Sequence, residues 1–270
     1  MLEPTGATLV LHRRGSTVWR VRTPRAQYAV KLGYPIEASP EWAAATWTAL
    51  APAREGVILR DLGSTRTIYG QWEHGTWNAQ PWHSGTDLHQ LWAPHRTREG
   101  VSRPPLAGAL AGARALADLH DLGVAHGDVQ PAHILVTAEP ASAVLIDLAL
   151  ARGVEVPQGF DFPYQGCLVH YEAPEISRSV LSEGETVPTR EADVYGFGAS
   201  LFMAATGWRH VEYPDDGSRA DQRKAIVDGA HRPVNVGGVL GRLIDDMLEY
   251  DPRNRPTMRE IHKTLLAEAA

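Results

Sequence analysis

Cysteine is almost missing from this chain: Cys167 stands alone among 270 residues. That excludes a disulfide framework and a cysteine-based zinc site, and it suits a reducing, cytoplasmic setting. Lysine is nearly as scarce. Only Lys31, Lys224 and Lys263 accompany the arginines in a basic set of 26. With the abundant alanine, this bias reads as GC-rich coding of a bacterial genome, so arginine abundance carries no functional weight. A lysine at a chemically meaningful position carries more. Positive charge is not in excess either, the formal net charge being −6, which argues against nucleic acid or an anionic membrane as partner. The longest apolar-leaning stretch, 197–208, is too short and too broken by Gly and Ser to span a bilayer. The N-terminus lacks a basic run followed by an apolar one, so no secretory signal is expected. No repeat or low-complexity tract occurs, and no His-x₃-His pair supports a dedicated zinc site.

What is present divides into two parts. Runs at 8–11, 17–21 and 28–31 are rich in β-branched and aromatic residues and are separated by the turn signals Gly15-Ser16 and Thr23-Pro24. They predict a three-strand antiparallel meander. Residues 41–50 read as a short Ala/Trp-rich helix after Ser39-Pro40, and strand-like pieces recur at 57–62, 67–72 and 76–80. Beyond Asp87 the period becomes helical. Leu106, Leu110, Ala113, Leu116, Ala117 and His120 mark a core helix ending near Gly123. Ile134–Val136 and Val144–Ile146 flank a turn containing Pro140 and read as a small hairpin; helical patterns return over 193–206, 239–250 and 258–267. The predicted fold class is α+β, with a small antiparallel β-rich lobe (1–80), a hinge (81–85) and a larger, mainly helical lobe (86–270), together one domain.

The strongest segment is His126-Gly127-Asp128-Val129-Gln130-Pro131-Ala132-His133, followed after the hairpin by Asp147-Leu148-Ala149. A loop that leaves a helix carries Asp128, and the hairpin's second strand delivers Asp147. Two carboxylates so placed can divide labour, one steering a nucleophile's proton and the other holding a divalent cation. Turn and helix capping is the plainer role for both. Lys31, at the end of a strand, could reach phosphate oxygens.

These residues carry a resemblance. The chain resembles the eukaryotic-type protein kinases over nearly its whole length. Ala29-Val30-Lys31 looks like the strand-three lysine motif, His126-Gly127-Asp128 like the catalytic loop, and Asp147-Leu148-Ala149 like the metal-binding motif. Ala173-Pro174-Glu175, Asp193 and Arg255 resemble the motifs that close the activation segment and brace the helical lobe. The resemblance implies ATP with Mg²⁺ or Mn²⁺, and a bilobal kinase-like fold. It implies that Lys31 holds the α and β phosphates, Asp147 binds metal and Asp128 orients the acceptor hydroxyl. Leu135 would floor the adenine, and Gln80 to Trp82 would supply hinge groups. Glu41 is the best candidate to pair with Lys31, although aligning on Trp47 and Leu50 puts Ala43 there.

Several positions depart from the family pattern. Leu11, Arg13 and Ser16 stand where three loop glycines belong, with only Gly15 nearby. Backbone amides approach phosphates closely only where Cβ is missing. His133 replaces the asparagine that holds a second metal; an imidazole would suit Mn²⁺ or Zn²⁺ better than Mg²⁺, although a structural histidine is the commoner case. Gln130 replaces a lysine that neutralises the transferring phosphate. Gly127 replaces the arginine that reads a phosphorylated activation loop, and Cys167 a threonine that touches the catalytic aspartate. Lone and in a loop, Cys167 reads as packing rather than as a redox sensor.

Three functions are therefore expected in order. The first is transfer of the ATP γ-phosphate to Ser or Thr of a protein or peptide, with peptide natural-product maturation as one setting by analogy. The second is a pseudokinase, a nucleotide- or protein-binding scaffold. The third is a small-molecule phosphotransferase, since His126-Gly127-Asp128 also resembles the loop of aminoglycoside and choline kinases.

Overall fold

The computed structural model describes residues 3–13, 15–38, 44–97, 101–137, 142–229 and 231–270. They fall into two compact units, Met1–His83 with Val154–Phe162, and Ser84–Gly153 with Pro163–Ala270.

The first unit is built on an antiparallel sheet of β1 (Gly6–Arg13), β2 (Ser16–Arg22), β3 (Gln27–Gly33), β4 (Ile68–Trp72) and β5 (Gly75–Pro81) in the order β1-β2-β3-β5-β4. The β-branched runs form the predicted meander. Arg13 pairs with Ser16 to close the first hairpin, and Thr23 closes the second through its hydroxyl, which accepts from Ala26 N–H. One helix, α1 (Trp47–Asp61), packs on β5, β3 and β4. It corrects two expectations. The predicted helix over 41–50 starts instead at Trp47 and runs to Asp61, and residues 41–43 lie outside the described residues. The strand expected at 57–62 is the second half of that helix. Val57 and Ile58 carry a local β preference, but Ala53 and Ile58 are fully buried within the helix, and tertiary burial outweighs propensity.

The second unit holds a small sheet of β6 (Thr86–Asp87), β7 (Ile134–Val136) and β8 (Ala143–Leu145), ordered β6-β7-β8. The β7–β8 hairpin is as predicted, while Pro140 in its turn lies outside the described residues. Seven helices are described here: α2 (Leu88–Trp92), α3 (Leu106–Asp121), α4 (Pro174–Glu183), α5 (Arg190–Thr206), α6 (Arg219–Asp228), α7 (Gly238–Met247) and α8 (Met258–Glu268). α5 is buried on all sides, with Phe197, Leu201 and Phe202 in the core, and α2 and α7 pack around it. α8 packs on α3, burying Ile261 and Leu265. No helix among the described residues is long and apolar enough to cross a membrane.

Candidate active site

The loop between α3 and β7 is held from below by Asp193 of α5. Its carboxylate accepts the backbone N–H groups of His126 (2.6 Å) and Gly127 (2.9 Å) and lies 3.0 Å from His120 Nε2. Gly127 has φ +78°, and a Cβ there would lie 2.6 Å from the Leu150 carbonyl oxygen. The loop can make this turn only with glycine. Tyr164 donates to the Gly127 carbonyl at 2.8 Å. His126 is buried, its Nε2 is 3.1 Å from the Ile146 carbonyl, and burial pushes its pKa down.

This bracing presents Asp128. Gln130 Nε2 donates to Asp128 Oδ2 at 3.0 Å, whereas Asp128 Oδ1 is buried and has no hydrogen-bond partner. A buried carboxylate oxygen without a donor is costly, and such an oxygen calls for a donor brought from outside. Asp147 follows β8 with φ +64°, the one described non-glycine residue in the left-handed region. Strain of this kind persists where the surroundings over-determine it and recurs at functional sites.

His133 joins the two aspartates. Its Nδ1 is 2.9 Å from the Asp128 carbonyl oxygen and its Nε2 3.3 Å from Asp147 Oδ2. Both partners are acceptors, so both ring nitrogens donate and the ring is an imidazolium. Burial opposes that charge, but Asp128 and the hydrogen bond to Asp147 outweigh it and raise the pKa to about 9. His133 thus stands beside Asp128 and Asp147 as a buried cation.

In the first unit, Lys31 Nζ lies 2.8 Å from Glu55 of α1, and Glu55 is 1% exposed. Asn78 of β5 stands opposite Lys31 and donates to Glu55 Oε2 at 3.0 Å and to the Pro52 carbonyl at 2.8 Å. Glu41, the candidate partner of Lys31, lies outside the described residues, and the carboxylate found on the lysine is Glu55. The signal that could have marked Glu55 is the helical spacing of Leu59 and Leu62 after it, which the β-branched Val57-Ile58 pair obscures. Gln80 is buried opposite Ala29 in β3. The hinge expectation narrows, because Pro81 has no N–H and the Trp82 N–H donates to the Gln27 carbonyl at 2.9 Å. The Trp82 indole instead carries the Arg20 guanidinium, 4.9 Å from the ring centre. Leu135 sits half-buried in β7, opposite Val144.

The motifs near the C-terminus are architectural. Arg255 meets Glu175 through two bonds of 2.7 and 2.8 Å and lies over the Tyr195 ring. Burial pushes the Cys167 thiol well above its usual range, as does the nearby Asp128 carboxylate, which fits a packing role.

Comparison with known proteins agrees with this geometry. Residues 107–266 match the model of the protein kinase domain. This chain belongs to that family. The kinase domain is 28% identical over 233 residues to the L-type lectin-domain containing receptor kinase VIII.2 of Arabidopsis thaliana, covering 78% of this chain and 30% of that protein. It is 28% identical over 147 residues to the maternal embryonic leucine zipper kinase of Danio rerio, covering 54% of this chain and 21% of the relative. It is 33% identical over 153 residues to the "Probable inactive leucine-rich repeat receptor kinase XIAO" of Oryza sativa subsp. japonica, covering 54% and 12%. The kinase domain thus spans a third or less of the length of each of these curated relatives. Among solved structures, the Cydia pomonella granulovirus kinase PK-1 shares the fold, with TM-score 0.63 and 17% identity over 95% of this chain and 92% of that one. The α+β kinase fold class is as the sequence predicted.

Proposed function

We propose that this kinase domain transfers the γ-phosphoryl group of ATP to a Ser or Thr hydroxyl of a protein or peptide. The observation that carries the reading is Asp128 Oδ1, buried on a braced loop with no donor of its own. An acceptor hydroxyl would supply that donor, and Asp128 would hold its proton as the oxygen attacks. Lys31, kept in place by Glu55, would bind the α and β phosphates. Leu135 would lie beneath the adenine.

No group of three or more His, Cys, Asp or Glu side chains among the described residues is arranged to hold a metal. Asp147, 44% exposed, fits a divalent cation, Mg²⁺ or Mn²⁺, whose other ligands come from nucleotide and water. Such a cation supplies charge neutralisation at the phosphates. His133 places positive charge where family members would hold a second metal.

A second reading, a scaffold without turnover, draws on the β1–β2 hairpin. Its strands close directly from Arg13 to Ser16, and the Gly15 carbonyl accepts the Tyr34 N–H at 3.0 Å. A Cβ on Gly15 would lie 2.8 Å from Thr48, so Gly15 is packed into its own unit, and the sequence there carries no run of glycines.

Calorimetric titration of ATP in Mg²⁺, in Mn²⁺ and without metal, beside Lys31→Ala, tests the nucleotide site. Metal-dependent binding that Lys31→Ala abolishes is expected. Transfer to Ser/Thr peptides should then fall by roughly 100-fold or more in Asp128→Asn with the fold intact. Binding without any transfer supports the scaffold reading, and no binding by the folded protein overturns the kinase reading.

A further inference from the structure

Arg54 and Glu55 are consecutive on α1, and both are 1% exposed. Two neighbouring buried charges are expensive to keep unless each is paired. Glu55 has Lys31 and Asn78. Arg54 reaches a partner 107 residues further on: its Nε lies 2.9 Å from Asp161 Oδ1, on the segment Val154–Phe162 that belongs to the first unit. The contact is wider than one ion pair. The Arg54 guanidinium lies over the Phe162 ring, 5.2 Å from its centre, and Phe162 packs on Trp47 at 5.6 Å. Phe160 meets the edge of Tyr69 at 5.9 Å.

Successive residues of a helix point about 100° apart around its axis. The grip on Arg54 and the grip on Glu55 therefore act on different faces of α1. A rotation or outward shift of α1 that released Lys31 would also pull Arg54 off Asp161 and Phe162. The charge that secures this face is an aspartate carboxylate, present without any modification. Gly127, for its part, provides no arginine for a phosphorylated segment, and its backbone geometry excludes one.

We propose that Asp161 and Phe162 are positioning residues that act through Arg54 to hold α1 where Glu55 meets Lys31, so that the pair is assembled without phosphorylation of the segment. Its meaning for catalysis rests on the kinase reading, but its test does not.

The three lysines make the test clean. The full chain is treated with N-hydroxysuccinimidyl acetate without nucleotide, and acetylation at each lysine is followed by mass spectrometry. Lys31 Nζ, 12% exposed and held by Glu55, should label slowly beside Lys224, which is 66% exposed. Glu55→Gln sets the rate for a released Lys31. Asp161→Ala and Phe162→Ala should each raise Lys31 labelling at least threefold towards that limit, leave Lys224 unchanged, and be rescued by Asp161→Glu. If Phe162→Ala does not fold, Asp161→Asn takes its place.

Leu265→Ala, a core truncation in the other unit, controls for general loosening and should leave Lys31 at the wild-type rate at equal loss of melting temperature. The proposal is overturned if Lys31 labelling stays at the wild-type rate in the segment variants while Glu55→Gln raises it. An equal rise in Leu265→Ala overturns it too. A wild-type protein that binds no ATP would end the kinase reading and leave the labelling result standing.

Discussion

At the scale of single residues, His133 sets the character of the site. Its two N–H groups bridge Asp128 and Asp147, and its pKa rises to about 9. An unfolded histidine titrates near 6.5, so the native state binds this proton more tightly. The stability it contributes is fully present below about pH 6.5 and lost as pH rises through about 9. Between pH 7 and pH 9 that loss amounts to about 2 kcal/mol. Urea unfolding at the two pH values should show the fall in the wild type and a flatter profile in His133→Asn. An equal slope in both proteins would place the titration elsewhere. Gln130 acts beside it by donating to Asp128 Oδ2, which leaves Oδ1 as the oxygen to be satisfied. Neither arrangement was readable from the sequence, where both positions register only as a missing asparagine and a missing lysine. Which nitrogen faces which oxygen depends on where a hairpin places Asp147, and residue spacing does not encode that.

At the scale of elements, α1 shows what local patterning misses. Pro52 removes one N–H from the helix, and Thr76 of β5 enters the hydrogen-bond ladder beside it. Its hydroxyl accepts the Ala53 N–H at 3.1 Å and donates to the Ala49 carbonyl at 2.6 Å. A side chain inserted there is a recognised way to accommodate a helix irregularity. Two residues along the same face of β5, Asn78 takes the Pro52 carbonyl and Glu55. The helix is stitched to the sheet by partners more than twenty residues away in sequence, whereas local patterning gives a helix over 41–50 and a strand at 57–62. The other elements of the sheet, whose pattern is local and alternating, were legible. Replacing Asn78 by Leu leaves buried acceptors short of a donor, at a cost of roughly 2–4 kcal/mol. Asn78→Asp should cost more still, since it sets a second carboxylate against Glu55. Denaturant midpoints of the two variants would check the order, and a milder effect from Asp would contradict the stitch.

At the scale of the whole molecule, the motifs that brace the fold were the most legible part: Asp193 under the catalytic loop and Arg255 on Glu175 stand where the resemblance put them. The balance of histidine charge was not legible, because it depends on tertiary surroundings. Six of them, His83, His89, His126, His170, His210 and His231, have pKa values pushed down, each chiefly by burial. Only His133 is pushed up among the histidines with a resolved shift. A depressed histidine takes its proton more readily in the unfolded chain, so stability falls as pH drops below about 6.5 and stops falling below the native value. His210 shows the size of the effect. It packs edge-on against Phe202 and close to His231 and Arg232, its Nδ1 has no hydrogen-bond partner, and its pKa drops to about 4. A shift from about 6.5 to about 4 corresponds to roughly 3 kcal/mol of stability lost across that window. The wild type should therefore unfold at progressively lower urea concentration from pH 6.5 to pH 4. His210→Gln, which fills the site without titrating, should flatten the curve by most of that amount and leave the alkaline limb set by His133 unchanged. An acid limb equally steep in His210→Gln would mean that His210 already carries its proton in the native protein, with its ring turned to a partner other than Phe202.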